Sequence, residues 1–434
     1  MNEARVAVAD GLAFRWQTLA WATTRQAHDD GFVLFLTNNG IDYPSDPFPN
    51  RLFVGAKRVI SLSEPDAFQS LYKAHLENPS YLAGYFGYDL KNQLENLTSR
   101  HPNRLGFPDA CFVEPEWVID FDGHEIIVRG EGDVDALMEE VKAFCAFPLP
   151  QRQTAGKGKL PIQCRVTPAE YMDNVRTIQQ HILAGDVYEL NYCIEFLVEA
   201  ADLDPLETYR ALNDRSPMPF SSFMKVNNRY VVGASPERFL RKQGQQILSQ
   251  PIKGTIRRGH TPIEDEQLRL QLLHSEKERA ENLMIVDLVR NDLARSAETG
   301  SVQVNELFGI YGFEHVFQMI STVSATLRNE ISWAEGLRNA FPMGSMTGAP
   351  KIRAMELIDQ LEVSRRGIYS GALGFITPKG DFDFSVVIRS LLYDAPGRYA
   401  SFSVGSAITY EADPAQEWEE CLLKARAIRE VLEG

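Results

Sequence analysis

Helix-start signals set among hairpins restrict the fold of this chain more than any other feature. Thr167-Pro168-Ala169-Glu170 supplies a threonine N-cap, a proline at the first helical position and a glutamate that closes a capping box, which predicts a helix over residues 168–184 stopping at Gly185. Thr261-Pro262-Ile263-Glu264 and Ser275-Glu276-Lys277-Glu278 predict two further capping boxes that open consecutive helices. Between and around them the apolar pattern has strand character at 187–198, a hairpin at 223–226 with 230–233, a helix at 205–212 and one long strand at 382–392. Upstream, the apolar run at 32–36 ends in Thr37-Asn38-Asn39-Gly40, and the runs at 112–113 and 126–128 flank an Asp122-Gly123 turn. Hairpins and helices in this non-repeating order predict an α+β fold and exclude a βαβ repeat.

A chain of 434 residues has room for two or three domains or one large interwoven one. The segment 151–164 is rich in Gln, Lys and Gly without an apolar period and predicts an exposed connector. It divides a β-rich N-terminal region, 1–150, expected to intertwine with the rest, from the region 165–434 that holds the chemical motifs. The net charge of −15, with no basic stripe, argues against nucleic acid or an anionic membrane surface as a partner. Five cysteines without a C-x-x-C pair indicate neither a disulfide framework nor a zinc site and fit a reducing cytoplasm. The N-terminus has no basic-then-apolar leader, and no apolar run reaches the ~18 residues of a membrane span, so a cytoplasmic protein is expected.

The chemistry is expected around Gln250-Pro251-Ile252-Lys253-Gly254-Thr255-Ile256-Arg257-Arg258-Gly259. Period-2 alternation there puts Lys253, Thr255 and Arg257 on one face, and a glycine inside a strand marks a close approach of another group. Lys253 reads either as a snorkelling surface lysine or as a nucleophile made neutral by burial. Glu278 and Glu281 share a helix face, as do Glu417 and Glu420 on a helix opened by Asp413-Pro414; the run at 283–289 is apolar nearly all round, which predicts a buried helix. Two such pairs could close on a divalent ion, although an acid in a first turn, as at Glu278 and Glu417, is favoured by about 0.3–1 kcal/mol with no metal at all. Glu237 and Arg238 follow a strand and read as a surface turn; Asp383, Ser385 and Arg389 share a strand face and read as an ion-paired set. Gly344-Ser345-Met346-Thr347-Gly348-Ala349-Pro350-Lys351 opens a helix but fails as a P-loop, since Pro350 precedes the lysine and Ile352 follows it.

The 250–259 stretch resembles the signature of the chorismate-utilising enzymes, the family of anthranilate synthase component I, and further motifs extend the resemblance over 165–434. The resemblance implies that family's fold, antiparallel β-sheets packed as a sandwich with helices outside. It also implies Mg2+ held directly by Glu281 and Glu420 and through waters by Glu278 and Glu417, on the segments 280–288 and 413–420. Glu237 is implied as the general acid for the departing hydroxyl, with its pKa raised by a dry pocket. The chorismate pocket is implied at Ser345, Thr347 and Thr255, with Tyr369 and Arg389 on the enolpyruvyl carboxylate and the Gly405 backbone on the ring carboxylate. Ala407 stands where a second family glycine is usual. The lysine form at 253, where anthranilate synthases carry alanine, implies attack at C2 and amination at C4. Glu189 replaces the water-activating lysine of isochorismate synthases, and Gln318 replaces a frequent histidine, which disfavours water addition and pyruvate elimination. Residues 35–38 depart from the family's effector-pocket stretch. Without a Gly-x-Cys-x-Gly nucleophile, ammonia is expected from a separate glutamine amidotransferase subunit, and the chain's end at Gly434 leaves no room for a fused lyase. The alternatives are anthranilate synthesis and, outside the family, a phosphate-binding regulatory module.

Overall fold

The computed structural model describes residues 1–8, 10–62, 66–147 and 160–434. Among them, two antiparallel sheets of twelve and ten strands pack together with helices around them. The apolar run upstream becomes the strand Phe32–Thr37, bonded between Arg51–Val54 and Phe220–Val226 in the larger sheet. Leu82–Phe86 likewise pairs with Ala372–Ile376 in the second sheet. Early strands are therefore built into both sheets beside late ones. Leu34 and Leu36 pack with Phe86, Phe112 and Phe384 in one core, while Val33 and Phe35 face the other with Leu212, Ile358 and Ala425. Burial on both faces is why this strand is apolar without alternation.

Most of the connector expected at 151–164 lies outside the described residues; Gln163–Cys164 pairs with Glu189–Val198. The helix Pro168–Leu183 has the full capping box at Thr167 and Glu170. The other two boxes are half-formed. Thr261 accepts from the Glu264 N–H, but the Glu264 carboxylate accepts from the His260 N–H at 2.8 Å and from Arg257 at 2.6 Å. Ser275 accepts from the Glu278 N–H, and the Glu278 carboxylate turns toward Gly254 instead of back to its cap. The helix Glu276–Ala294 is not buried all round: Leu283 and Asp287 are exposed, and the buried face is Glu281, Asn282, Ile285, Val286, Val289, Asp292 and Leu293.

The single strand expected at 382–392 is two. Phe382–Val386 belongs to the second sheet and Ser390–Asp394 to the first, and the chain crosses between them with Arg389 at φ 51°. The side chains expected to share a face are separated by that crossing, and Asp383 pairs with Arg238 at 2.9 Å, not with Arg389. Among the described residues no helix is long and apolar enough to cross a membrane.

Candidate active site

The strand Ile252–Arg257 pairs with Val316–Thr326, and the register breaks between Ile252 and Thr255. Gly254 has φ 93°, and a Cβ there would stand 3.1 Å from Glu278 Oε2 and 3.2 Å from Leu272 Cδ1. A glycine is needed for both reasons: an L side chain resists this backbone, and the carboxylate occupies the space. The irregularity also overturns the expected common face. Thr255 and Arg257 are exposed, the latter on Glu264, while Lys253 is half-buried among Glu189, Glu281, Glu420 and Glu237. None of the four closes to ion-pair distance. Burial pulls the Lys253 pKa down, but these carboxylates, Glu189 first, raise it by more, so it lies above the ordinary lysine value. Burial of the site, closed over by bound chorismate, was expected to supply most of the shift toward a neutral amine; in the chain without chorismate the surrounding carboxylates outweigh burial.

The two glutamate pairs face each other from the helices Glu276–Ala294 and Pro414–Glu433. Lys277 Nζ lies 3.4 Å from Glu417 Oε1 and 3.8 Å from Glu281 Oε1. Lys424 Nζ lies 2.5 Å from Glu420 Oε1 and donates to the Gly405 carbonyl at 2.9 Å. Burial raises the pKa of Glu278 and Glu417 and pushes Glu281 up to about 7, with the neighbouring carboxylates adding to the rise. Burial acts most strongly and upward on Glu420, but Lys424, Lys253 and Lys277 together outweigh it and the net shift is downward. No three carboxylate, imidazole or thiol groups among the described residues form a ready-made ion cage. The donors are nevertheless all carboxylate oxygens crowded enough to repel one another, which suits a hard divalent cation better than any soft one.

Glu237 follows the strand Arg229–Ser235 and is buried, accepting from the Ser345 hydroxyl at 2.7 Å. Burial pushes its pKa up to about 7 against the opposing pull of Ser345 and Lys253. A narrow crevice opens beside it, lined by Glu237, Pro251, Asp292, Met343 and Ser345. Arg389 is half-buried, and its guanidinium has no hydrogen bond or ion pair among the described residues; burial lowers its pKa, while Tyr369 and Glu420 oppose that fall. The Tyr369 hydroxyl donates to Cys193 Sγ at 3.5 Å. Gly405 lies opposite Cys193, and a Cβ on it would stand 2.5 Å from that sulfur, so a glycine is required there. The Thr347 hydroxyl is spent within its own turn, donating to the Met343 and Gly344 carbonyls at 3.2 Å. Thr255 stands at the surface, apart from this group.

Arg366 escaped the sequence patterns, and the burial of Glu189 was not among the expectations. Arg366 is buried and donates to the Met346 carbonyl at 2.6 Å, to the Asn191 carbonyl at 2.9 Å and to Glu362, tying the 344–346 turn to the strand Glu189–Val198. Glu189 is 2% exposed and its Oε2 has no hydrogen-bond partner. It heads a ten-residue strand that is buried throughout and also carries Asn191 and Glu195.

Residues 39–430 match the family described as chorismate binding enzyme. Aminodeoxychorismate synthase component 1 of Klebsiella aerogenes is 36% identical over 81% of this chain and 77% of that protein. Anthranilate synthase component 1 of Thermus thermophilus is 35% identical over 88% of each chain. Against longer curated relatives the chain spans only 39–50% of their length. The crystal structure of anthranilate synthase component I from Streptococcus pneumoniae superposes with a TM-score of 0.74 at 26% identity, covering 99% of this chain and 92% of that one.

Proposed function

The chain belongs to the chorismate binding enzymes, and from that premise we propose that it catalyses the aminodeoxychorismate synthase reaction, chorismate and ammonia to 4-amino-4-deoxychorismate, for para-aminobenzoate and folate synthesis. The observation that carries the proposal is Lys253, held at an irregular strand position among carboxylates and facing a protonatable Glu237. Arg389, with no partner of its own, and Tyr369 receive the enolpyruvyl carboxylate, a planar guanidinium being suited to a bidentate contact. The 344–347 turn, fixed by Arg366, and the Gly405 backbone line the ring. The Lys253 amine attacks C2, the two ring double bonds shift, and the C4 hydroxyl leaves as water with the Glu237 proton. Ammonia then adds at C4, the double bonds shift back, the amine departs from C2, and the new C4 ammonium returns a proton to Glu237. Glu281 and Glu420, with Glu278 and Glu417 through waters, are the residues that would hold magnesium, which when bound supplies positive charge for the ring carboxylate. Thr255, exposed at the surface, stands apart from these groups.

Ammonia is supplied by a separate glutamine amidotransferase subunit in this reading. The second reading, anthranilate synthesis, draws on the Thermus relative. Product analysis with chorismate, a magnesium salt and ammonium at high pH separates them: an aminated, non-aromatic product is expected, and anthranilate would overturn the proposal. Glutamine in place of ammonium should give no product with the purified chain, and glutamine-dependent turnover would remove the partner.

A further inference from the structure

Two donors that rest on sulfur point to a further substrate contact. Asn191 is 7% exposed and its backbone is pinned on both sides: the N–H donates to the Thr347 carbonyl at 2.8 Å, and the carbonyl accepts from Arg366 at 2.9 Å. Period-2 alternation then sets the Asn191 and Cys193 side chains on one face of the strand Glu189–Val198, with Ala407 and Gly405 as their neighbours across the ladder. Neither neighbour has a side chain long enough to cover that face. Among the described residues the Asn191 amide donates only to sulfur, at 3.8 Å to Cys193 Sγ and 3.8 Å to Met346 Sδ. The Tyr369 hydroxyl donates to the same Cys193 Sγ at 3.5 Å. Thiol and thioether sulfurs are weak acceptors, so these buried donors have given up water for little in return. An oxygen anion in the sulfur's place would make charge-assisted bonds, roughly twice as strong as neutral ones. Arg389, bonded to none of the described residues, acts electrostatically with Tyr369 and brings a cation to the same group.

We propose that Asn191 is a third donor to the enolpyruvyl carboxylate of chorismate, its Nδ2 leaving the two sulfurs to join the Tyr369 hydroxyl and the Arg389 guanidinium. The assignment rests on the reading that Tyr369 and Arg389 receive this carboxylate, and it adds a specificity-determining residue to them. Arg389 supplies the charge, and the two neutral donors, each held by its own part of the fold, fix how the carboxylate is turned. Met346 follows Ser345, whose hydroxyl bonds to Glu237 at 2.7 Å. The enolpyruvyl ether is on C3, so anchoring its carboxylate beside the 344–347 turn orients the neighbouring C4 hydroxyl toward Glu237.

Inhibitor binding tests the assignment without turnover. The probe 3-(carboxymethoxy)benzoate carries a ring carboxylate and a second carboxylate on a meta ether; 3-methoxybenzoate keeps the ring and the ether and lacks the second carboxylate. Dissociation constants for both are measured by titration calorimetry on the full chain with magnesium. Asn191→Ala should weaken the carboxymethyl ether on the order of 10-fold or more, the value of one charged hydrogen bond, and leave the methyl ether within about twofold. Asn191→Leu, which keeps the volume and branching of asparagine, should give the same pair of values and serves if the alanine variant does not fold. Unchanged binding of the carboxymethyl ether, or equal weakening of the two ethers, overturns the assignment and leaves Asn191 a packing residue. Equal affinity of wild type for the two ethers overturns the carboxylate subsite, and the assignment with it; the choice between amination at C4 and at C2 is read separately, from the products.

Discussion

Arg366 and Arg389 each act electrostatically with Tyr369, yet they are treated in opposite ways. Arg366 donates to two carbonyls and to both oxygens of Glu362, and lies against the Tyr88 ring 4.6 Å away. Arg389, also withdrawn from solvent, has no such partner, sits at φ 51°, and marks the point where the chain leaves one sheet for the other. Arg238 repeats the first pattern with Asp383 and Gln250; Lys253 and Glu189 repeat the second. Charges that hold the fold together are saturated within it. Charges left unsaturated cost stability and mark the groups kept for substrate.

The sharpest way to break this comparison is to remove one member of each class. Arg366→Ala strands Glu362 as a buried, unpaired charge, and about 3–5 kcal/mol of stability should be lost in denaturant unfolding. Arg389→Ala strands nothing, so its unfolding midpoint should match or exceed wild type, while KM for chorismate rises on the order of 100-fold, the value of a charge-assisted contact. Equal destabilisation by the two variants would show that the distinction between them is not real.

Much of the frame was legible in the sequence because its signals are local. The Thr167 box, the proline-started helices and the run at 32–36 depend on neighbours along the chain, and they appear where expected. Failures came where distant groups decide. Residues 382–392 alternate well enough for one strand, yet a left-handed residue at Arg389 lets the two halves serve different sheets. The alternation at 253–257 is spoiled by Gly254, whose conformation answers to Glu278 on a following helix. For Glu237 a raised pKa was expected, and its buried position raises it; for Lys253 the carboxylates that outweigh burial in the chain without chorismate come from parts of the sequence that no local window contains.

A smaller effect sharpens the same contrast from the acidic side. Glu237 holds its proton up to about 7 in the folded chain against an ordinary value of 4.5, so the folded state binds the extra proton between those pH values. Stability should therefore fall as pH rises through that window and level off above it. Glu237→Gln keeps the acceptor for Ser345 without the charge, and should exceed wild type by on the order of 1–3 kcal/mol at pH 8 and match it at pH 4. A difference independent of pH in paired urea titrations would mean that Glu237 carries no buried charge. Smallest is Gly254→Ala, expected to cost about 1 kcal/mol for the left-handed backbone, with a loss of turnover as the Glu278 carboxylate is pushed away. Full stability with full turnover would show that the approach of Glu278 to the strand is incidental.

The central claim is that Lys253 bonds to substrate carbon, and mass analysis of its peptide tests it most directly. With chorismate and magnesium present and ammonia rigorously excluded, the peptide spanning 251–257 should gain the mass of chorismate less one water. The gain should vanish on adding ammonium and never form in Lys253→Ala. A preparation that makes the 4-amino product when given ammonia, yet leaves that peptide unmodified at every time point without it, would contradict the account and make Lys253 a binding cation.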